Sequence, residues 1–229
     1  MFILGIDTTG KSGGVTLAQG DDAAFRVIAS APISGGTFSA QLVPTVAEML
    51  GNYGFSARDI AGFAVASGPG SFTGLRIGLS AVKGLAEVLH KPIATVSVLE
   101  ALASRSEARG PVVAALDAGR AEAFVGLYVV DPERKSVTCL DESLRSNAEL
   151  LEHIESTPQP ILVTSDESVA QLVSATRAVV ELVARPDSEL IARLGLRKLL
   201  RGETVAVEAL DANYLRRSDA EIFSKGARR

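Results

Sequence analysis

The chain has 229 residues, of which 47% are apolar and 22% charged, enough for one compact unit or two small lobes. The chain has 23 basic and 27 acidic residues. This balance argues against a protein that binds nucleic acid without a partner, because phosphate contacts need a surplus of basic residues. The single cysteine, Cys139, excludes an internal disulfide, and two distant histidines, His90 and His153, argue against a histidine zinc site.

Apolar segments favour a soluble, cytoplasmic protein. The N-terminal run Met1–Ile6 reaches Asp7 too early for the apolar region of a signal peptide. No apolar stretch approaches the roughly 20 residues that a membrane-spanning helix needs.

The first half predicts three strands followed by alternating helices and strands. The opening strands, Phe2–Ile6, Gly13–Ala18 and Ala24–Ser30, are typical of an antiparallel meander. Leu42, Val46, Met49 and Leu50 then lie at helical spacing in a helix that starts near Thr37. The remaining predicted elements are a strand Ile60–Ala66, a helix ending near Leu89, a strand Pro92–Val96 and a helix Leu99–Ala108.

The second half repeats this pattern. Asp7, Val15 and Leu17 have the same spacing as Asp117, Val125 and Leu127, which predicts a strand, a turn and a second strand in the same register. The later predicted elements are strands at Pro111–Asp117, Ser136–Leu140 and Ile161–Thr164 and helices at Asn147–Ile154, Glu167–Ala175 and Ser188–Leu200. We therefore predict two similar α/β lobes, residues 1–108 and 109–229.

The segment SGPGSFTG, Ser67–Gly74, joins a predicted strand to a predicted helix. Gly68, Gly70 and Gly74 permit tight backbone turns, and Ser71 or Thr73 is placed to cap the helix. A helix N-terminus of this kind can hold phosphate, whereas the alternative is a tight turn without a ligand. The segment is neither a P-loop nor a GxGxxG fingerprint.

Asp7, Thr8 and Thr9 form a second polar turn. In a phosphotransferase such an aspartate orients a magnesium-bound water, whereas the alternative is an Asx turn that closes the hairpin. Asp117 is its counterpart, but the turn after it lacks hydroxyl groups, so a two-lobed nucleotide clamp is incomplete.

The helix after the glycine-rich segment carries a face of small residues: Gly74, Gly78, Ala81 and Gly84. Glycine inside a helix costs about 1 kcal/mol relative to alanine, so close packing must compensate. That packing is either the core of the lobe or another chain. The candidate interface consists of Leu42, Val46, Gly74, Arg76, Gly78 and Ala81.

Three segments carry a resemblance to a known family: GIDTTGKSGGVTLA, GPGSFTGLRIGLSAVKGLA and NYLRRSDAE. The chain is identified as a member of the TsaB (YeaZ) family over essentially its whole length. The resemblance implies the actin-like ATPase superfold (ASKHA, ribonuclease H-like), with two lobes that each hold a mixed sheet and helices.

The resemblance also implies a non-catalytic subunit. TsaB pairs with its catalytic paralogue TsaD and, together with the ATPase TsaE, adds threonylcarbamoyl to N6 of the adenosine 3′ of the anticodon in tRNAs that read codons beginning with A. It implies a homodimer when the chain is alone, tRNA contact only through the complex, no tightly bound cofactor, and ATP or ADP at the complex interface.

At the positions that correspond to the metal site of TsaD, this chain carries different residues. TsaD-type proteins carry a His-x-x-x-His pair, and the corresponding positions here are Val98 and Leu102, which cannot bind a metal. No catalytic or metal-binding residue is therefore predicted. Many TsaB proteins have a histidine at the start of the first long helix, where this chain has Phe38-Ser39, so no role is assigned there.

Two rival functions stay open. A small actin-like phosphotransferase with its own nucleotide site has only weak support, from Asp117. A stand-alone RNA-binding protein fits poorly with the 8 Phe and 3 Tyr residues and the acidic balance. The C-terminal arginines and lysine (Arg216, Arg217, Lys225, Arg228 and Arg229) are either a solvated terminus or a contact to tRNA phosphate or to TsaD.

Overall fold

The computed structural model describes residues 1–131, 133, 136–213 and 215. Two compact units are formed: Met1–Ala101 together with Arg185–Asn213 make the first unit, and Leu102–Ala184 make the second. Within the described residues, no helix is long and apolar enough to cross a membrane. The basic residues of the C-terminal tail, from Arg216 onward, lie outside the described residues.

The first unit is built on a five-stranded sheet. Its strands are β1 (Phe2–Asp7), β2 (Ser12–Gly20), β3 (Phe25–Ser34), β4 (Gly62–Gly68) and β5 (Ile93–Ser97), in the order β3-β2-β1-β4-β5. β1, β2 and β3 form the predicted antiparallel meander, and β4 and β5 run parallel to β1. The helices in the first part of the chain are α1 (Phe38–Asn52), a 3-10 turn (Ala57–Asp59), α2 (Phe72–Leu89) and α3 (Val98–Ala103), and the second unit begins within α3.

The second unit repeats this topology. Its elements are β6 (Gly110–Gly119), β7 (Glu122–Asp131), β8 (Ser136–Ser146), α4 (Asn147–Ser156), β9 (Ile161–Thr164), α5 (Glu167–Val173) and β10 (Val179–Leu182). The sheet order β8-β7-β6-β9-β10 matches that of the first unit strand for strand. The expected pair of similar α/β lobes of the actin-like fold is thereby confirmed.

The register within the repeat differs by one residue from the prediction. Val15 pairs with Ile6, one residue before Asp7, whereas Val125 pairs with Ala115, two residues before Asp117. The cause is the longer β6 strand, whose pairing shifts between Asp117 and Gly119. Equal spacing in the sequence therefore does not give equal cross-strand partners.

The last helix, α6 (Ser188–Leu200), belongs to the first unit, which differs from the predicted division at residues 108 and 109. Side chains alternate across β1, so Leu4 packs in the core with α1 and α2, and Ile3 packs with α6 on the opposite face. A Cβ atom at Gly5 would overlap Ala192 of α6, so glycine allows the helix to approach the sheet. Without α6 this face would be exposed.

Two further local predictions differ from the structure. The helix predicted over Leu99–Ala108 is the shorter α3, after which Ser106 accepts a hydrogen bond from the Ala108 backbone. The edge strand β10, with only four residues, was not predicted, because a run that short has no clear period.

Candidate functional site

The site lies in the first unit, where the turn after β1 meets the glycine-rich loop before α2. The Thr8 hydroxyl donates a hydrogen bond to the Gly74 carbonyl at 2.7 Å, and the Ser71 backbone N–H donates to the Thr9 carbonyl at 2.8 Å. Thr8 and Thr9 are buried. The structure therefore brings together the two polar segments that sequence analysis singled out separately.

The glycines of the loop and of α2 make room for this turn. A Cβ atom at Gly70 would overlap Thr9, and Cβ atoms at Gly74 and Gly78 would overlap Thr8. Only glycine allows this close approach of helix and turn. The turn thus fills the space that these glycines leave, and the loop provides no open cradle at that point.

The polar groups at the start of α2 have protein partners. The Ser71 hydroxyl caps the helix by accepting a hydrogen bond from the Gly74 N–H at 3.2 Å, as predicted for Ser71 or Thr73, whereas Thr73 is exposed. Gly68 has a φ of 110°, a conformation that favours glycine, and it is buried. The Asn213 N–H donates to the Ser67 carbonyl at 2.8 Å, so the end of the first unit is fixed at this loop.

The predicted interface residues are mostly internal. Leu42 and Val46 of α1 are buried in the core of the first unit, and Gly74 and Gly78 of α2 are buried against Thr8. The expectation that these four residues face another chain is corrected, because the lobe itself covers them. Of the predicted set, Arg76 is exposed and Ala81 half-buried, and the Arg76 guanidinium lies 3.9 Å from the centre of the Phe72 ring.

Asp7 forms the Asx turn given as the alternative to a magnesium-orienting role. Its Oδ1 accepts hydrogen bonds from the Thr9 N–H at 2.8 Å and from the Thr9 hydroxyl at 2.7 Å. Burial raises the pKa of the Asp7 carboxyl, and nearby Asp187 raises it further, whereas the Thr9 hydrogen bonds and the positive charge of Arg185 lower it. Burial is the largest of these effects, so the ionised form is destabilised in the folded protein.

Asp7→Asn is expected to stabilise the protein increasingly as pH rises above 3.8, until the folded carboxyl has also lost its proton. The folded pKa lies above the unfolded value of 3.8, so the unfolded chain loses its proton first, and wild-type stability falls as pH rises through this range. Asparagine removes this effect and still offers an oxygen to Thr9. Urea unfolding at several pH values measures the difference.

Asp59→Asn is the matched control with the opposite sign. The Ser56 N–H and hydroxyl donate to Asp59 at 2.7 and 2.8 Å and lower the pKa of its carboxyl. Its contribution is present above the unfolded pKa and is lost as pH falls, so this variant is expected to lose stability relative to wild type as pH rises. Equal pH profiles for both variants would contradict the assignment of a destabilised charge to Asp7.

Sequence reasoning missed Arg185, which approaches this turn from the other end of the chain. Its Nε would lie 3.2 Å from a Cβ atom at Gly10, and its charge acts on Asp7. Arg185 is about 180 residues away in sequence, directly before the segment that carries α6. Only the unpredicted return of residues 185–213 to the first unit places it here.

The corresponding turn of the second unit is built differently. Asp117 is exposed, its Oδ1 accepts a hydrogen bond from the Gly119 N–H at 2.7 Å, and its own N–H donates to Asp166 at 2.8 Å. Arg120 and Ala121 both have a φ of 58°, a left-handed conformation unusual for these residue types. The two turns are therefore equivalent in topology but not in chemistry.

The positions of the paralogue's metal ligands lie in α3. Val98 and Leu102 are 1% and 0% exposed and offer only hydrocarbon to their surroundings. Within the described part of the chain, no group of three or more His, Cys, Asp or Glu side chains is placed to hold a metal ion.

Comparison with known families and proteins gives a consistent result. The family model for TsaD, tRNA N6-adenosine threonylcarbamoyltransferase, matches residues 33–160. The chain is 29% identical to the tRNA threonylcarbamoyladenosine biosynthesis protein TsaB of Bacillus subtilis, over 96% of each protein. It is 37% identical to Escherichia coli TsaB over 94 residues, covering 40% of this chain and 41% of that protein.

Solved structures show the same fold. A Pseudomonas aeruginosa protein described as similar to peptidase YeaZ superposes with a TM-score of 0.75 at 25% identity, covering 94% of this chain and 99% of that one. YeaZ from the same organism gives a TM-score of 0.73 at 23% identity over 93% and 99% of the two chains. The chain therefore belongs to the family of the tRNA N6-adenosine threonylcarbamoyltransferases, TsaD, and within it to the TsaB, or YeaZ, group.

Proposed function

We propose that this chain is a non-catalytic subunit of the machinery that adds threonylcarbamoyl to N6 of the adenosine 3′ of the anticodon, in tRNAs that read codons beginning with A. In this proposal it acts in the cytoplasm and pairs with a TsaD-like catalytic protein and a TsaE-like ATPase. The observation that carries it is the similarity, over 96% of the chain, to a TsaB protein of tRNA threonylcarbamoyladenosine biosynthesis.

The local chemistry of α3 and of the glycine-rich loop supports a role without catalysis. The paralogue's histidine positions hold the buried hydrocarbons Val98 and Leu102. Thr8 and Thr9 occupy the space along the glycines of the loop, and the Ser71 N–H, which an anion would need, already donates to a protein carbonyl. ATP or ADP is therefore proposed to bind only in the assembled complex.

The outward sides of α1 and α2 are the surface that we propose for pairing. α1 exposes Val43, with 52% of its surface accessible, and Ala47 one turn later. α2 exposes Val88, at 77%, and Gly84, where a Cβ atom would meet nothing within 4 Å. Apolar and small side chains at helical spacing allow a second pair of helices to approach closely. The same surface would serve a homodimer when the chain is alone.

The second candidate is a small phosphotransferase of the actin-like fold. The buried carboxylate of Asp7, close to the start of α2 and to Arg185, is the observation that favours it. In that case the Asp7 carboxylate would orient a magnesium-bound water at a nucleotide phosphate, and the Asx turn would have to open to admit it.

Reconstitution distinguishes the two candidates. The purified chain is combined with the TsaD-like and TsaE-like proteins of the same organism, threonylcarbamoyl adenylate, ATP and unmodified tRNA. Modified adenosine is expected only when the chain is present, and the chain alone is expected to show negligible ATP turnover. ATP turnover by the chain alone that is lost in Asp7→Ala but kept in Asp59→Ala would favour the phosphotransferase and overturn the subunit proposal.

A further inference from the structure

Helix α6 carries three arginines on its outward side. Arg193, Arg197 and Arg201 follow one another at four-residue intervals, the last directly after the end of the helix, so they lie on one face over about 12 Å. Arg193 and Arg201 are exposed and Arg197 is half-buried. We call these three residues the α6 arginine row.

The packing of α6 on the first unit uses other residues of the helix. The Lys198 ammonium group lies 2.6 Å from the Glu100 carboxylate and donates a hydrogen bond to the Thr95 carbonyl at 3.0 Å. Lys198 therefore links α6 to the rest of the first unit. The opposite side of α6, which includes Ala192 and Leu196, is buried against the sheet. The arginine row is the side of the helix that this packing leaves outward.

The two ends of the row make weak contacts for charged groups. The Arg193 guanidinium lies 4.7 Å from the centre of the Phe25 ring. At the other end, the Arg201 guanidinium lies 3.9 Å from the Glu203 carboxylate, and the side chains of Arg201 and Glu203 are each about half exposed. An ion pair of that distance and exposure contributes little. Glu189, one turn before Arg193, is the acidic residue at the start of the helix.

The three charges also repel one another. Partial burial lowers the pKa of the Arg197 guanidinium, and the positive charges of Arg193 and Arg201 lower it further. Like charges four residues apart on a helix repel one another and destabilise it. Negative charge from a partner would relieve this repulsion.

We propose that the α6 arginine row contacts tRNA phosphates when the complex assembles, an inference that rests on the proposed function. Successive members of the row are about 6 Å apart along the helix axis, and the planar guanidinium group of arginine pairs well with phosphate. Without these three residues the chain has 20 basic against 27 acidic residues, so the row is a local exception to an acidic protein. Contacts to phosphate position the RNA and do not read its sequence.

The test replaces all three arginines by glutamine and measures tRNA binding by the complex with the TsaD-like protein across a range of salt concentrations. At low salt we expect binding weaker by about tenfold or more, and a salt slope reduced by roughly 0.7–0.9 for each phosphate that the variant no longer neutralises. A triple Arg→Lys variant keeps the charges and is expected to retain most of the affinity. The matched control, which neutralises Arg58, Lys91 and Arg109 outside α6, is expected to bind almost as wild type.

Several outcomes would overturn the inference. One is unchanged affinity and salt slope in a glutamine variant that unfolds at the wild-type temperature. Another is weaker association with the TsaD-like or TsaE-like protein in the absence of RNA, which would assign the row to an acidic protein surface. If the glutamine variant loses tRNA affinity and salt slope as expected but the wild-type complex adds no threonylcarbamoyl, the proposed function fails and this inference stands.

Discussion

Replacing Gly78 by leucine is expected to destabilise the first unit strongly. The new side chain would start inside the space of the buried Thr8 hydroxyl, which itself donates to the Gly74 carbonyl. Overpacking of a filled core typically costs about 1–3 kcal/mol, and we expect the upper end here because the new Cβ atom would overlap a hydrogen-bonded hydroxyl group. That is a large part of the roughly 5–15 kcal/mol that stabilises a typical folded protein. Urea unfolding followed by circular dichroism measures the loss.

Gly84→Ala is the matched control on the same helix. A Cβ atom there meets nothing within 4 Å, so alanine brings only its higher helix propensity and a gain of up to about 1 kcal/mol. If Gly78→Leu keeps wild-type stability and loses only its association with the TsaD-like protein, the packing of Thr8 on α2 is not what fixes glycine at this position.

Introducing aspartate at Val43 and Val88 together is expected to weaken association with the TsaD-like protein by roughly 100-fold. Both side chains are more than half exposed in the chain, so folding is little affected, but a carboxylate desolvated in an apolar contact has no partner. Titration of the labelled chain with its partner gives the affinity, and the self-association of the chain alone is measured by sedimentation.

Leu140→Asp provides the comparison for this pair. Leu140 is 64% exposed on β8 in the second unit and tests whether any exposed apolar residue would respond in the same way. Equal losses for the two variants, or no loss in the double variant, would remove the outward sides of α1 and α2 from the pairing model.

The local pattern of apolar and polar residues was sufficient to predict most of the fold. Alternation and helical spacing predicted the meander, α1, α2 and α6 close to their observed bounds, and the internal repeat predicted two sheets of the same topology. The small-residue face of α2 showed that something packs closely there, but spacing alone cannot identify the neighbour. The neighbour is Thr8, more than 60 residues away in sequence.

The candidate site was predictable in part for the same reason. Asp7, Thr8, Thr9 and the loop glycines stand out individually in the sequence, and their hydrogen bonds depend on the parallel pairing of β1 with β4. Arg185 was not predictable, because its approach depends on α6 packing on the first sheet through Gly5 and Gly195. Long-range packing of this kind leaves no periodic signal in a single sequence.

The discontinuous first unit has a consequence for synthesis of the protein. Its sheet lacks α6 until the ribosome has added the 99 residues from Leu102 to Leu200. At roughly 5–20 residues per second this takes about 5–20 s, during which Ile3 and Ala18 have no helix to cover them. The second sheet, from β6 to β10, ends at Leu182 and is therefore synthesised before α6, so the N-terminal sheet is the later of the two to acquire all its elements and exposes an apolar face in the meantime.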